Sequence, residues 1–262
     1  MKVEEANKIV EAQLEKLAEA LAAGKSDTLR NYLSTMSKMY KYSFRNLLLI
    51  QSQKPDASYV AGFQSWRKLG RWVKKGEKAI TIITPINFKR ESANADKVEE
   101  QFTMFRAGHV FDFSQTEGEP LANLATVAGD PGDQLESLKS LVKDHQISLE
   151  YQADLNGADG LSKGGIIVIK EGLSPAVEFS VLVHELAHEL LHKGTVVESK
   201  TVRETEAEAV AFVVSEAIGL TTTDASSDYI QLYSGDSETL KSSLERIQKT
   251  STTILSGLNS QK

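Results

Sequence analysis

Cysteine is absent from the 262 residues, so the protein has no disulfide and no metal site built on thiolates. Any bound zinc must therefore be held by histidine and carboxylate side chains. The first residues lack the apolar core of a signal peptide, and no apolar run approaches the length that spans a membrane. These absences predict a cytoplasmic protein with no membrane partner.

Positive charge is in deficit over the chain as a whole. The formal net charge is -6, from 36 acidic and 30 basic side chains. This balance argues against nucleic-acid binding by the entire surface but leaves room for a local basic patch. A hydrophobic content of 40% and a charged content of 25% are ordinary for a globular chain, and the length fits one large or two modest domains.

The chain does contain a His-Glu-x-x-His motif at residues 184–188. On an α-helix, positions i and i+4 share a face, so His184 and His188 can bind one metal ion through neutral imidazole nitrogens. Glu185 is then placed to take a proton from a water molecule on that metal. The flanking residues are apolar nearly all round, which predicts a buried helix in which these side chains need a compensating ligand. The alternative is a chance match.

The third ligand is expected from a second helix, predicted at residues 203–214. Glu204 and Glu208 are four apart and share a face, whereas Glu206 points elsewhere. Two histidines and one glutamate leave the fourth Zn²⁺ position open, as in catalytic sites. We favour Glu204 as ligand and expect Glu208 to orient a ligand histidine; the reverse assignment and a solvated glutamate face are the alternatives. His192, in a helix-ending His-Lys-Gly, is predicted to be a cap rather than a ligand.

Turn residues concentrate in residues 114–134 and predict a domain boundary there. We expect a domain of residues 1–118, a linker of residues 119–134 and a domain of residues 135–262. Residues 164–170 are rich in β-branched side chains and precede the motif helix. They predict an edge strand beside the cleft, of the kind that pairs with a peptide substrate. Further helices are predicted at residues 3–23, after residues 26–27, from residue 43 to before Pro55, at residues 63–69, at residues 135–145 and after Asp236. Strands are predicted at residues 79–85, within residues 102–113 and at residues 147–151. A hairpin loop is predicted at residues 91–100.

Residues 61–90, the basic–aromatic stretch, hold eight basic side chains against one acid, a local charge of +7. Both tryptophans of the chain lie within it. Cations that follow a phosphate backbone and rings that stack on bases are what single-stranded DNA binding requires. The alternative is that the tryptophans belong to the core and the lysines form a solvated rim. The candidate DNA-binding residues are Tyr42, Trp66, Arg67, Lys68, Arg71, Trp72, Lys74, Lys75 and Lys78.

Three segments of the first half form a recognisable set: Tyr42-Ser43-x-x-Asn46 with Leu47-Leu48-Leu49, Trp66-x-x-Leu69-Gly70-x-x-Val73-x-Lys75-Gly76-Glu77-Lys78, and residues 110–118. Together they resemble the N-terminal single-stranded-DNA-binding domain of ArdC-type antirestriction proteins from conjugative plasmids. This resemblance implies that Asn46 joins the DNA-binding candidates. It also implies a protein of a mobile element that shields incoming DNA from host restriction.

The second half resembles the ImmA/IrrE-like zinc metallopeptidases. It carries His-Glu-x-x-His followed by Glu-x-x-Ala-x-x-x-Ala from Glu204, which supports Glu204 as ligand, whereas Glu208 stands where those peptidases often have Asn or Asp. The resemblances imply an α+β protein with an N-terminal mixed α/β DNA-binding domain and a C-terminal zincin-like peptidase domain acting on an unidentified protein substrate. The alternatives are a DNA-binding antirestriction protein with a structural or vestigial zinc site, and a repressor-cleaving peptidase.

Overall fold

Helices and strands are intermixed along the chain, and the predicted α+β class is confirmed. The computed structural model describes residues 2–91, 99–118, 129–192, 199–220 and 237–260. The helices in these ranges are α1 (Val3–Ala22), α2 (Ser26–Lys38), α3 (Phe44–Gln53), α4 (Phe63–Lys68), α5 (Gln134–Asp144), α6 (Pro175–Leu191), α7 (Lys200–Ala217) and α8 (Ser237–Ser260). The strands are β1 (Val60–Gly62), β2 (Arg71–Val73), β3 (Ile80–Glu91), β4 (Glu99–Asp112), β5 (Thr116–Gly118), β6 (Ser148–Gln152), β7 (Gly160–Ser162) and β8 (Ile166–Lys170).

The chain divides into two compact units by its internal contacts. Unit 1 comprises Met1–Glu15 and Arg45–Leu121, and unit 2 comprises Lys16–Phe44 and Ala122–Lys262. This division differs from the predicted domains in residues 16–44, which group with the C-terminal half. The physical reason is that α2 packs on α7, a pairing of distant segments that no local change of composition marks. Of the predicted linker, residues 119–128 lie outside the described residues.

Unit 1 contains an antiparallel sheet in the order β1-β4-β3 and a separate antiparallel pair, β2 with β5. β3 and β4 pair from Ile80 opposite Val110 to Glu91 opposite Glu99. Residues 92–98 of the predicted hairpin loop lie outside the described residues. The three-residue strands β1, β2 and β5 were not predicted, because so few residues show no alternation of apolar and polar side chains.

Two amide side chains of α3 bind the outer edge of β3. Asn46 donates from Nδ2 to the carbonyl of Ile83 and accepts from its N–H, both at 2.8 Å. Gln53 donates to the carbonyl of Thr81 at 2.8 Å and accepts from its N–H at 2.9 Å. Positions 46 and 53 are two helical turns apart, and residues 81 and 83 present their backbone groups to the same edge. The two amides therefore satisfy a strand edge that would otherwise be left unpaired.

Unit 2 is built on the sheet β6-β8-β7, in which β8 is parallel to β6 and antiparallel to β7. Residues 167–169 of β8 are at most 2% exposed, as expected for a central strand. The prediction of an edge strand at residues 164–170 was therefore wrong. The edge strand against α6 is β7, whose three residues contain too short a pattern to be recognised from sequence.

The helices of unit 2 bury their apolar faces against one another and place the motif. α6 packs on α7 and α7 packs on α8; Leu182, Val210 and Leu244, one from each helix, are fully buried. Among the helices of the described ranges, none is long and apolar enough to cross a membrane. The α6–α7 packing sets the His-Glu-x-x-His turn beside the first turns of α7.

Candidate metal centre

The motif helix α6 begins at Pro175, a favourable first position because the missing N–H of proline has no helical acceptor there. His184 and His188 follow on one face, one turn apart, and both line a cleft of 520 Å³. The opposite faces of the helix are held in the core by apolar side chains. These are Phe179, Leu182, Val183, Leu186 and Ala187, each 0% exposed.

Three candidate ligand atoms converge in this cleft: Nε2 of His184, Nε2 of His188 and Oε2 of Glu204. The two nitrogens are 3.1 Å apart, and the oxygen lies 3.5 Å from His184 and 3.4 Å from His188. A tetrahedral ion with bonds of about 2.0–2.1 Å has ligand–ligand edges of about 3.3–3.4 Å, so the triangle has the spacing that a divalent metal requires. The structure thus brings together the three residues that the sequence predicted as ligands.

Glu208 lies on the other side of the His184 ring, with Oε2 3.4 Å from Nδ1. A carboxylate accepts hydrogen bonds only, so this contact places the His184 proton on Nδ1 and leaves the Nε2 lone pair facing the other ligand atoms. Burial alone would lower the pKa of His184, but hydrogen bonding and charge from Glu208, with the charges of Glu185 and Glu204, outweigh it and raise that pKa. Burial and the charge of His184 lower the pKa of His188 to about 4.

Glu185 is 8% exposed and lines the same cleft. Burial raises the pKa of its carboxyl and outweighs the nearby His184, which lowers it; Glu204 adds to the rise. The strand β7 passes close by. A Cβ at Gly160 would lie 2.8 Å from both Cγ and Oε1 of Glu185 and 2.6 Å from Cγ1 of Val181, so only glycine fits at this point of the strand.

Glu189, the residue after His188, has a role that no sequence pattern indicated. Its carboxylate accepts hydrogen bonds from Oγ of Ser162 at 2.6 Å and from the backbone N–H groups of Gly164 at 2.8 Å and Gly165 at 2.7 Å. Glu189 is 5% exposed. It therefore ties the turn between β7 and β8 to the motif helix and fixes one wall of the cleft.

A second polar group, also missed by sequence reasoning, lies behind His188. Nδ1 of His188 is 3.2 Å from Nδ1 of His192, and Nε2 of His192 is 3.1 Å from Oε2 of Glu206. His192 is the C-cap residue of α6, as predicted, and Glu206 points away from the ligand cluster, as predicted. Burial alone would raise the pKa of Glu206, but hydrogen bonds from His192, Arg246 and Ser243 lower it.

Three of the predicted DNA-binding residues are buried in unit 1. Trp66 is 0% exposed and donates from Nε1 to the carbonyl of Phe111 at 2.9 Å. Arg71 is 5% exposed and donates to Thr116, and Asn46 is 8% exposed and bonded to β3. Their polar groups are used within the protein, and Trp66 has no free face on which a base could stack. Trp66 therefore lies in the core, as the alternative interpretation of the basic–aromatic stretch describes.

The other candidates lie at the surface or near it. Trp72 is 53% exposed, and Arg67, Lys68, Lys74, Lys75 and Lys78 are exposed as well. Lys74 donates from Nζ to the carbonyl of Ser114 at 3.0 Å. Tyr42 is partly buried and belongs to unit 2, whereas the other candidates belong to unit 1.

The fold and site together define an α+β protein with a candidate metal centre on a His-Glu-x-x-His helix. Residues 4–111 match the family model described as the N-terminal domain of anti-restriction factor ArdC, in agreement with the resemblance of the first half. The fold is similar to that of ArdC from plasmid R388. Its metal-free crystal structure has a TM-score of 0.55 and 16% identity, and covers 96% of this chain and 98% of that one. Its Mn(II)-bound crystal structure has a TM-score of 0.56 and 17% identity, and covers 95% and 98%.

The chain is also similar to pXO2-81, an uncharacterized protein of Bacillus anthracis. The two are 26% identical over 271 residues, which cover 86% of this chain and 46% of that protein. The chain therefore spans about half the length of this curated relative.

Proposed function

We propose that His184, His188 and Glu204 bind a catalytic divalent metal, Zn²⁺, and that unit 2 hydrolyses peptide bonds. The observation that carries the proposal is the triangle of two imidazole nitrogens and one carboxylate oxygen with edges of 3.1–3.5 Å. Such a set leaves a coordination position open for water, which distinguishes catalytic from closed structural zinc sites. That the ArdC protein of plasmid R388 has a Mn(II)-bound structure supports a divalent metal here.

The residues of the site have complementary roles in this proposal. The metal, when bound, supplies a Lewis acid that lowers the pKa of a water molecule towards about 7. Glu185 accepts the proton as the water attacks a peptide carbonyl, and then donates it to the leaving amine. Glu208 holds the tautomer of His184 through Nδ1. Gly160 leaves the space that the Glu185 side chain occupies.

The strand β7 supports a peptide as the substrate. It is the last strand in the order β6-β8-β7 of the described residues and lines the cleft through residues 160–162. An edge strand pairs with an extended peptide through backbone hydrogen bonds whatever the peptide's side chains.

For unit 1 we propose binding of single-stranded DNA and, through it, an antirestriction role for a mobile element in the cytoplasm. Two observations support this. Residues 4–111 match the ArdC N-terminal family model, and Trp72 is exposed among the basic side chains of the basic–aromatic stretch. Lys68, Lys75 and Lys78 are exposed cations in this stretch, suited to phosphate contacts.

The match of residues 4–111 also favours a second candidate function, a DNA-binding antirestriction protein whose metal site is structural or vestigial. A third, a repressor-cleaving peptidase of the ImmA/IrrE-like kind, would share the metal centre without the DNA. The presence or absence of ssDNA binding separates the third candidate from the other two. The presence or absence of cleavage separates the second from the first.

The decisive experiment combines metal analysis with a protease assay on casein or a peptide library, each with and without a single-stranded oligonucleotide. We expect about one zinc per wild-type chain and cleavage that is lost in Glu185→Gln, by about 10²–10⁴-fold, with zinc retained. Glu150→Gln, an exposed glutamate on β6, is the matched control and should cleave like wild type. If Glu185→Gln cleaves at the wild-type rate, Glu185 is not the base. If the wild-type protein cleaves nothing, either with or without the oligonucleotide, the second candidate function is favoured.

A further inference from the structure

Both ligand histidines have a partner on the ring nitrogen that faces away from the metal triangle, but the two partners differ. His184 Nδ1 faces the carboxylate of Glu208 directly. His188 Nδ1 faces another imidazole, that of His192. An imidazole can donate or accept at this nitrogen, so His192 fixes the state of His188 only if its own tautomer is fixed.

The tautomer of His192 is fixed by Glu206 and Arg246, which lie beyond it in the series of contacts. Arg246 on α8 can only donate, and it donates from Nη2 to Oε1 and from Nε, at 3.4 Å, to Oε2 of Glu206. Glu206 is 0% exposed, so its carboxylate has no solvent to complete its hydrogen bonds and must be satisfied by protein groups. The Oε2 atom therefore accepts from Nε2 of His192, 3.1 Å away.

The contact with Glu206 determines which ring nitrogen of His192 carries the proton, and His192 in turn determines this for His188. A neutral His192 that is protonated on Nε2 has a lone pair on Nδ1, so it must accept from Nδ1–H of His188 across the 3.2 Å contact. A neutral His188 that is protonated on Nδ1 has its lone pair on Nε2. That is the atom 3.1 Å from Nε2 of His184 and 3.4 Å from Oε2 of Glu204.

We infer that Arg246, Glu206 and His192 form a hydrogen-bond relay that holds His188 in its metal-binding tautomer, so that α8 is part of the metal centre. The three are positioning residues: none is among the ligand atoms, and each acts through the next. The relay rests on the proposed metal site. Partners of this kind typically change metal affinity by about 10–100-fold when they are removed.

The first test reads the tautomers in the metal-free full-length protein by long-range ¹H–¹⁵N NMR of the histidine rings. We expect His188 to be protonated on Nδ1 and His192 on Nε2. In Glu206→Gln the amide can donate to His192 as well as accept from it, so the preference at both rings should be reduced. A wild-type His188 protonated on Nε2, or tautomers that do not change in Glu206→Gln, would overturn the relay. This readout needs no metal, so it remains informative even if the proposed metal site fails.

The second test measures the dissociation constant for Zn²⁺ in variants shown to be folded by thermal melting. His192→Phe removes the acceptor and should weaken binding by about 10–100-fold. His192→Asn sets an amide oxygen where Nδ1 stood and should recover most of that loss. Glu216→Gln, the same change as Glu206→Gln on the same helix but bonded to Ser34, is the matched control and should bind like wild type. A folded His192→Phe with unchanged Zn²⁺ affinity would overturn the relay while leaving the metal site intact.

Discussion

The candidate metal centre of unit 2 and the basic–aromatic stretch of unit 1 present their polar groups in opposite ways. At the candidate metal centre the groups converge: three candidate ligand atoms lie within 3.5 Å of one another, and the buried carboxylates behind them are bonded to protein groups. In the basic–aromatic stretch the exposed cations and Trp72 diverge towards solvent, while Trp66 and Arg71 are bonded inside the protein.

The difference indicates what kind of ligand each region can take. A metal ion is bound most tightly when its ligand atoms are already held near the required distances, and hydrogen bonds from neighbouring groups help to hold them there. A single strand of DNA is bound by charge and stacking that tolerate adjustment. Substitution of a candidate ligand should therefore act nearly all-or-none, whereas substitutions on the surface of the stretch should act in small increments.

The largest expected effect is loss of the metal. His184→Ala or His188→Ala leaves two ligands, too few for tight binding, and bound zinc should fall from about one per chain to near zero. Glu204→Ala should lose more metal than Glu208→Ala, whose effect should stay within about 10–100-fold in affinity. Elemental analysis after dialysis measures each. His145→Ala is the control, because it also removes one histidine, at the end of α5 and outside the candidate site, and should keep its zinc. Full zinc retention in both His184→Ala and His188→Ala would show that these histidines do not bind the metal. The contrast between the two regions would then fail.

The next effect separates the two tryptophans of unit 1. Trp66→Ala deletes a fully buried side chain and its hydrogen bond, and should lower the free energy of unfolding by about 3–5 kcal/mol. Trp72→Ala should leave melting nearly unchanged and should weaken ssDNA binding by about 1–3 kcal/mol if one base stacks on the ring. Melting curves and oligonucleotide titrations on both variants are the measurement. A Trp72→Ala variant that unfolds like Trp66→Ala would contradict its assignment to the surface.

Sequence spacing predicted that His184, His188 and Glu204 lie close together, because their geometry is local. His184 and His188 share a face in any α-helix, and Glu204 is reached by packing the next helix against the first. The stretch is different, since composition reports charge and aromatic content but not burial. Trp66 and Trp72 are six residues apart in similar surroundings, yet one is 0% and the other 53% exposed. Contacts with residues distant in the sequence decide which is core: Trp66 bonds to Phe111 and packs on Phe113.

Other features depended on pairings far apart in the chain and were beyond sequence reasoning. The edge position of β7, the relay to Arg246 and the assignment of residues 16–44 to unit 2 all belong to this group. A fragment of residues 1–118 would remove α7 from α2 and expose Leu29, Leu33 and Met36, each 0% exposed in the full chain. DNA binding is therefore best measured on the whole protein.

A smaller effect is expected at Gly160. Gly160→Ala places a Cβ 2.6 Å from Cγ1 of Val181 and 2.8 Å from the Glu185 side chain, so the strand or the glutamate must shift. We expect a loss of about 1–3 kcal/mol in unfolding free energy, reduced cleavage and unchanged zinc content. The matched control is Gly62→Ala in β1, where the nearest atom to the new Cβ is 4.0 Å away. Equal melting temperatures for the two variants would show that the approach of β7 to α6 is not tight.

The smallest effect should come from a single surface cation. Lys75→Gln should weaken ssDNA binding by a similar factor for every sequence and should reduce the slope of log affinity against log salt by about 0.7, because one fewer counterion is released. Lys75 is preferable to Lys74, whose Nζ also holds the carbonyl of Ser114. Lys8→Gln removes the same charge from an exposed position on α1, outside the basic–aromatic stretch. If the stretch forms the contact surface, Lys8→Gln should leave the salt slope unchanged. If both variants shift affinity and slope equally, only the net charge matters, and the stretch is a solvated rim rather than a binding site.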